Sequence, residues 1–206
     1  MSRVKPRKRE DVPELAPSFA VSEQRMGFLP NSQLIMAHKP KLVQAFAQLS
    51  QAVNDPSNKT SRPLRSLVGH MASKSAGCQY CVAHTGEGAH NAKVEDAKIA
   101  AIWQYETSPL FSEAERAALR FAQSAASVPN AVTDADFAEL RKHYSDEEIV
   151  ELVAVISYFG FLNRWNDTLA TELEPAPLGF AQHALTDTGW SAGKHAPKTK
   201  AKQAAE

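Results

Sequence analysis

The sequence predicts an all-α protein, and two observations carry that prediction. Apolar residues recur at three- and four-residue spacing along most of the chain, and no stretch alternates in the way of a strand. Three Ser/Thr-x-x-acid signatures, Ser112 to Glu115, Thr133 to Asp136 and Ser145 to Glu148, each stand just ahead of such a stretch, as helix-start boxes do. There is no repeat of fixed period and no glycine-rich phosphate loop. The expectation is one domain of roughly eight helices.

Taken in order, residues 1–18 are charged and proline-containing (Pro6, Pro13, Pro17) and read as an N-terminal arm ahead of a domain over 19–185. Asn31 or Ser32 is placed to cap a helix through Leu34, Ile35 and Met36. Pro40 opens the next, with Leu42, Val43, Phe46, Leu49 and Val53 at helical spacing. Residues 54–63 are a polar loop. Leu64, Leu67, Val68 and Met71 mark the apolar side of a helix from Leu64 to Ala76, on which Ser66 and His70 share a face. Gly77 breaks it, and a second helix carries Cys78, Cys81, His84 and Thr85. Further helices are expected over Lys93–Tyr105, Glu113–Ala126 and Asp134–His143, and from Ile149 to about Leu169. The last is apolar all round, which fits a central helix or one covered at a subunit interface. Asn163, Arg164, Asn166 and Asp167 near its end read first as structural pairs, with pocket lining or a subunit contact as the alternatives. The stretch 186–206 ends in a Lys-, Ala- and Pro-rich run without apolar periodicity and is expected to be a disordered tail.

Composition narrows the function classes. The chain has 206 residues, 43% hydrophobic and 22% charged, and a formal net charge of zero. Bulk charge therefore suggests neither nucleic acid nor an acidic membrane surface as partner. No apolar run is long enough to span a bilayer, and the basic first ten residues lead into no apolar core. The two cysteines do not make a secreted disulfide framework, so a cytoplasmic location is expected.

The chemistry concentrates in Gly77-Cys-Gln-Tyr-Cys-Val-Ala-His-Thr85, which holds both cysteines. Thiols at i and i+3 lie one above the other on a helix and can close and reopen a small disulfide ring. Gly77 suits a turn into a helix start, where unpaired N–H groups favour a thiolate. His84, three residues after Cys81, is in reach to exchange its proton. A structural disulfide at this spacing closes too little loop to constrain the unfolded chain. A structural zinc site needs four ligands, and His90 is the one close candidate to complete a set. Two inert buried thiols are the plain alternative. His38, His90 and His143 sit in contexts of solvated faces or caps.

The residues 77–84, together with Ser108-Pro-Leu-Phe-Ser-Glu-Ala-Glu-Arg116, Val132-Thr-Asp-Ala-Asp-Phe137 and Phe159-Gly-Phe-Leu-Asn-Arg-Trp-Asn-Asp167, resemble the carboxymuconolactone decarboxylase family. More narrowly they are similar to its alkyl hydroperoxidase D-like branch, over about residues 25–180. The resemblance implies an all-helical fold with the two-cysteine helix at its centre. It also implies a homo-oligomer (dimer, trimer or hexamer), with no cofactor and no metal. In peroxidase members the second cysteine attacks an organic hydroperoxide, the first resolves it to a disulfide, and a thiol or dithiol reductant reopens the pair. A glutamate and a histidine relay the proton.

This sequence departs from that pattern at both relay positions. The family glutamate position is Ser66 and the family histidine position is Thr85. The relay is expected to be rebuilt from His70, one turn after Ser66, and His84, next to Thr85, although a hydrogen-bonded core histidine is the plain reading of His70. The expected activity is thus a hydroperoxide-reducing thiol enzyme using Cys81, Cys78, His84 and His70. The competing readings are a decarboxylase or isomerase acting on a small carboxylactone, and a non-catalytic oligomer that senses oxidation.

Overall fold

The computed structural model describes residues 2–197, which contain ten α-helices, five short 3-10 turns and no strand. The helices are α1 (Ala16–Met26), α2 (Asn31–Met36), α3 (Pro40–Val53), α4 (Arg62–Ser75), α5 (Gln79–Asn91), α6 (Asp96–Ala100), α7 (Glu113–Ala126), α8 (Asp134–Leu140), α9 (Asp146–Leu169) and α10 (Pro175–Ala184). Among the described residues, no helix is long and apolar enough to cross a membrane.

Local chemistry explains where the helices start. Ser112, Thr133 and Ser145 each accept the third backbone N–H of their helix, and Glu115, Asp136 and Glu148 reach back to the cap. α2 has no side-chain cap of its own, because Pro30 holds the position before it. Lys93–Tyr105 divides into α6 and a 3-10 turn at Ala101–Gln104. α1 and α10 exceed the expected number. α10 is easy to miss because Pro175 and Pro177 sit in its first turn, where the missing N–H groups cost nothing.

The core is built around the α4–α5 pair. α7 and α9 pack on α4, and α10 packs on α5. α4 buries Leu67, Val68, Met71 and Ala72, α7 buries Leu119, Phe121 and Ala122, and α9 buries Leu152, Val155 and Ile156. α9 is not covered all round in the single chain: Val150 is 68% exposed, and Val153 and Phe161 are also open.

Segments at both edges of the expected domain pack onto it. Near the start, Val12 and Leu15 are buried, and the Arg3 N–H donates to the Leu169 carbonyl at 2.8 Å. After 185 the chain also folds back. Leu185, Trp190 and His195 are buried, the Trp190 indole donates to the Gln79 carbonyl at 3.0 Å, and the Leu173 N–H donates to the His195 carbonyl at 2.9 Å. A lone tryptophan anchors a polar segment that periodicity alone leaves unassigned. The rest of the expected tail, 198–206, lies outside the described residues.

Candidate active site

Gly77 makes the site possible. With φ at 72° it takes a left-handed conformation that only glycine adopts without cost, and it turns the chain from α4 into α5. Cys78 becomes the N-cap of α5, and Cys81 and His84 follow at one-turn intervals. Both cysteines are buried and unpaired.

The two thiols are inequivalent. Cys78 is held below its ordinary pKa: the Cys81 thiol donates to its sulfur, which outweighs burial, and the backbone N–H groups of Cys81 and Tyr80 add to the effect. Cys81 is pushed well above its ordinary value by burial, by donating that bond and by the charge on Cys78. The Asn166 amide acts the other way, donating to Cys81 Sγ at 3.6 Å. Cys78 is therefore the more acidic sulfur of the pair, and it accepts a hydrogen bond from the Cys81 thiol.

Cys81 faces a cavity of about 700 Å³ whose wall also includes Tyr80, His84, Thr85, Phe159 and Asn166. Cys78 lies behind it, fully buried. Ser66 and Arg65 line the far side, so the position that the resemblance assigns to a glutamate is a small hydroxyl bordering open space.

The carboxylate missing at Ser66 arrives from elsewhere. Glu174, in the link from α9 to α10, accepts from His84 Nε2 at 2.7 Å, from the Tyr80 hydroxyl at 2.8 Å and from the Asn31 N–H at 2.5 Å. Burial pushes its carboxyl up, but the His84 charge and these three donors outweigh burial and hold it below the ordinary value. The His84 ring stacks on Tyr80, with centroids 4.2 Å apart, so one face and one nitrogen of the imidazole are fixed. The Tyr80 hydroxyl, buried beside that carboxylate, is raised well above its ordinary range and stays a donor.

The four residues singled out in the sequence do not form one group. Cys78, Cys81 and His84 share the first two turns of α5. His70 is on α4, fully buried, with Nδ1 bonded to the Thr85 hydroxyl at 2.9 Å. That hydroxyl donates to the Cys81 carbonyl at 2.7 Å, so His70 reaches Cys81 through the backbone and not through sulfur. Burial drives its pKa down to about 3, which leaves it neutral and a poor proton carrier near neutral pH. Glu174 was not legible in the sequence; its one local signal is an acid just ahead of a proline-led helix start. Asn166, expected first as a structural pair with pocket lining as an alternative, lines the cavity and touches the sulfur.

Comparison with known proteins finds similar chains and folds. The signature of the Carboxymuconolactone decarboxylase family matches residues 40–124. The chain is similar to the crystal structure of the debrominase Bmp8, with 36% identity, a TM-score of 0.81 and coverage of 87% of this chain and 96% of that one. It is equally similar to a cysteine-to-alanine variant of Bmp8 in complex with 2,3,4-tribromopyrrole, at 35% identity and a TM-score of 0.82, over 88% of this chain and 96% of that one. An uncharacterized peroxidase-related protein from Ralstonia eutropha JMP134 shares the fold, with a TM-score of 0.77 at 22% identity over 96% of this chain and 98% of that one. The uncharacterized protein YnjA of Escherichia coli is 31% identical over 106 residues; the match spans 52% of this chain and only 58% of YnjA. The chain belongs to the carboxymuconolactone decarboxylase family and shares the fold of an alkylhydroperoxidase D core.

Proposed function

We propose that the protein is a dithiol reductase that takes an electrophilic small molecule into the cavity beside Cys81 and reduces it at the expense of a Cys78–Cys81 disulfide. The observation that carries this reading is the asymmetric thiol pair, one sulfur on the cavity wall and its hydrogen-bonded partner behind it. Organic hydroperoxides are the first substrate class, as the family resemblance implies. Cys81 passes its proton to the Cys78 thiolate and attacks the distal peroxide oxygen. The S–O bond forms as the O–O bond breaks. His84, held by Glu174, gives a proton to the departing alkoxide, and an alcohol leaves. Cys78 then attacks the Cys81 sulfenic acid, and water departs as the disulfide closes. An external thiol or dithiol returns the pair to its reduced form. The exposed apolar side of α9 supports a homo-oligomeric state.

A second substrate class, halogenated heteroaromatics, is favoured by the likeness to a debrominase over nearly that protein's whole length. There the same thiolate attacks the halogen, the ring carbon takes a proton, and resolution by Cys78 releases halide. Both classes are tested on one protein. Consumption of cumene hydroperoxide and release of bromide from 2,3,4-tribromopyrrole are measured with dithiothreitol present, in wild type and in Cys81→Ser. Turnover of either that vanishes in the variant supports the reading. Turnover of neither, or turnover unaffected by Cys81→Ser, overturns it.

A further inference from the structure

The site described above leaves one proton unaccounted for. When Cys81 is deprotonated by its neighbour, Cys78 becomes a thiol, and it must lose that proton before it can resolve the oxidised sulfur. Cys78 is fully buried and does not line the cavity, so neither bulk water nor His84 serves it.

The folded-back C-terminal segment brings a base to this spot. His195 is 1% exposed, and its Nδ1 lies 2.8 Å from the Thr171 carbonyl. A carbonyl can only accept, so Nδ1 carries the hydrogen and Nε2 presents a lone pair. That Nε2 is buried with no hydrogen-bond partner. It lies 3.6 Å from Asp167 Oδ1, and a ring nitrogen of His195, an Asp167 carboxylate oxygen and Cys78 Sγ are all within 4.8 Å of one another. Two buried groups and one half-exposed carboxylate converge there, and three electron-rich atoms so close ask for a positive charge between them.

We propose that His195 is the proton acceptor for Cys78 in the resolving step, with Asp167 steadying the imidazolium that forms. This rests on the dithiol reading above. The Cys78 thiol gives its proton to His195 Nε2. The resulting thiolate attacks Cys81 Sγ and the S–O bond breaks. The hydroxide released takes the proton from His195 and leaves as water, so the base is restored each cycle. A proton fits this place better than a divalent cation, because Lys194 Nζ already sits 2.7 Å from Asp167 Oδ2 and balances its charge. Burial lowers the pKa of His195, which keeps it neutral and ready to accept. The titratable and charged groups that face the pair are Cys81 and Tyr80 from α5, Asp167 from α9, and Lys194 beside it.

The assignment is tested without any substrate. In Cys81→Ser protein, the ultraviolet absorbance of the thiolate reports Cys78 alone as pH is varied. Adding His195→Gln is expected to raise the midpoint by about one unit, a tenfold loss in acidity. An unmoved midpoint in a protein with native circular dichroism overturns the assignment. Should the His195 variant fail to fold, the unaltered protein with ¹⁵N-labelled histidine serves instead. His195 is expected in the Nδ1–H form, titrating in step with the Cys78 thiolate; a His195 signal indifferent to Cys78 overturns the proposal. Closure of the Cys78–Cys81 disulfide in wild type, read by mass after exposure to cumene hydroperoxide or 2,3,4-tribromopyrrole without reductant, tests the dithiol reading separately. If the disulfide forms while the Cys78 midpoint ignores His195, the relay is wrong and the dithiol reading stands. If none forms, the dithiol reading itself is wrong.

Discussion

Replacing Glu174 by glutamine removes one charge and little else. The carboxylate accepts three hydrogen bonds, from His84, Tyr80 and Asn31. The amide oxygen can still accept from the Tyr80 hydroxyl and the Asn31 N–H. Its NH₂ then meets His84 Nε2 and forces the imidazole to give up the hydrogen there. One charge-assisted bond of the three is lost, which costs about 1.5–3 kcal/mol of stability for a group this buried. Proton donation from an unsupported neutral His84 should cut kcat by about 10²-fold or more, the usual range for loss of a general acid. The assays are urea unfolding followed by tryptophan fluorescence, and dithiol-dependent hydroperoxide turnover. The pH dependence has a defined sign. The Glu174 carboxyl lies below its ordinary 4.5 in the folded protein, so its contribution is complete above that value and fades as pH falls through the folded value. The stability gap between wild type and Glu174→Gln should hold at neutral pH and close in acid. Wild-type turnover in the variant, or a gap indifferent to acid, would refute the role given to this carboxylate.

Three further outcomes follow from the geometry. Gly69→Ala puts a Cβ 2.5 Å from the Phe159 ring on the cavity wall, so the ring must move. The variant should lose about 1–3 kcal/mol in urea unfolding and show a raised KM, and an unchanged KM would contradict the cavity assignment. His70, with a pKa of about 3, should show no titration in histidine NMR through the neutral range; a midpoint near the ordinary 6.5 would restore it as a relay candidate. Charging the open side of α9 with Val150→Glu and Phe161→Glu should lower the mass seen in sedimentation, and an unchanged mass would place any subunit contact elsewhere.

Much of the fold is legible because its signals are local. The boxes at Ser112, Thr133 and Ser145 announce α7, α8 and α9 within one turn, since a cap satisfies neighbouring N–H groups and needs no distant partner. Gly77 and the Cys-x-x-Cys spacing announce the thiol pair for the same reason. What the sequence hides is supplied from afar. Glu174 reaches His84 across 90 positions, and Asn166 reaches Cys81 across 85. His195 returns from a segment whose composition reads as unstructured, held by the burial of Leu185 and Trp190. Ser66 stands where the family resemblance implies a glutamate, and a carboxylate far along the chain, Glu174, bonds His84 instead. His70 shows what spacing leaves open: its place on α4 matches a relay, but spacing does not reveal how completely a group is buried.

The division of labour between the two sulfurs is tested most directly by intact-protein mass spectrometry after one equivalent of cumene hydroperoxide, without reductant. Wild type should lose the mass of two hydrogens as Cys78 and Cys81 join, Cys78→Ser, which lacks the base for Cys81, should gain one oxygen on Cys81 more slowly, and Cys81→Ser should stay unchanged. Oxygen gained on Cys78 in the Cys81→Ser protein, or a wild-type chain with both thiols still free, would contradict the account.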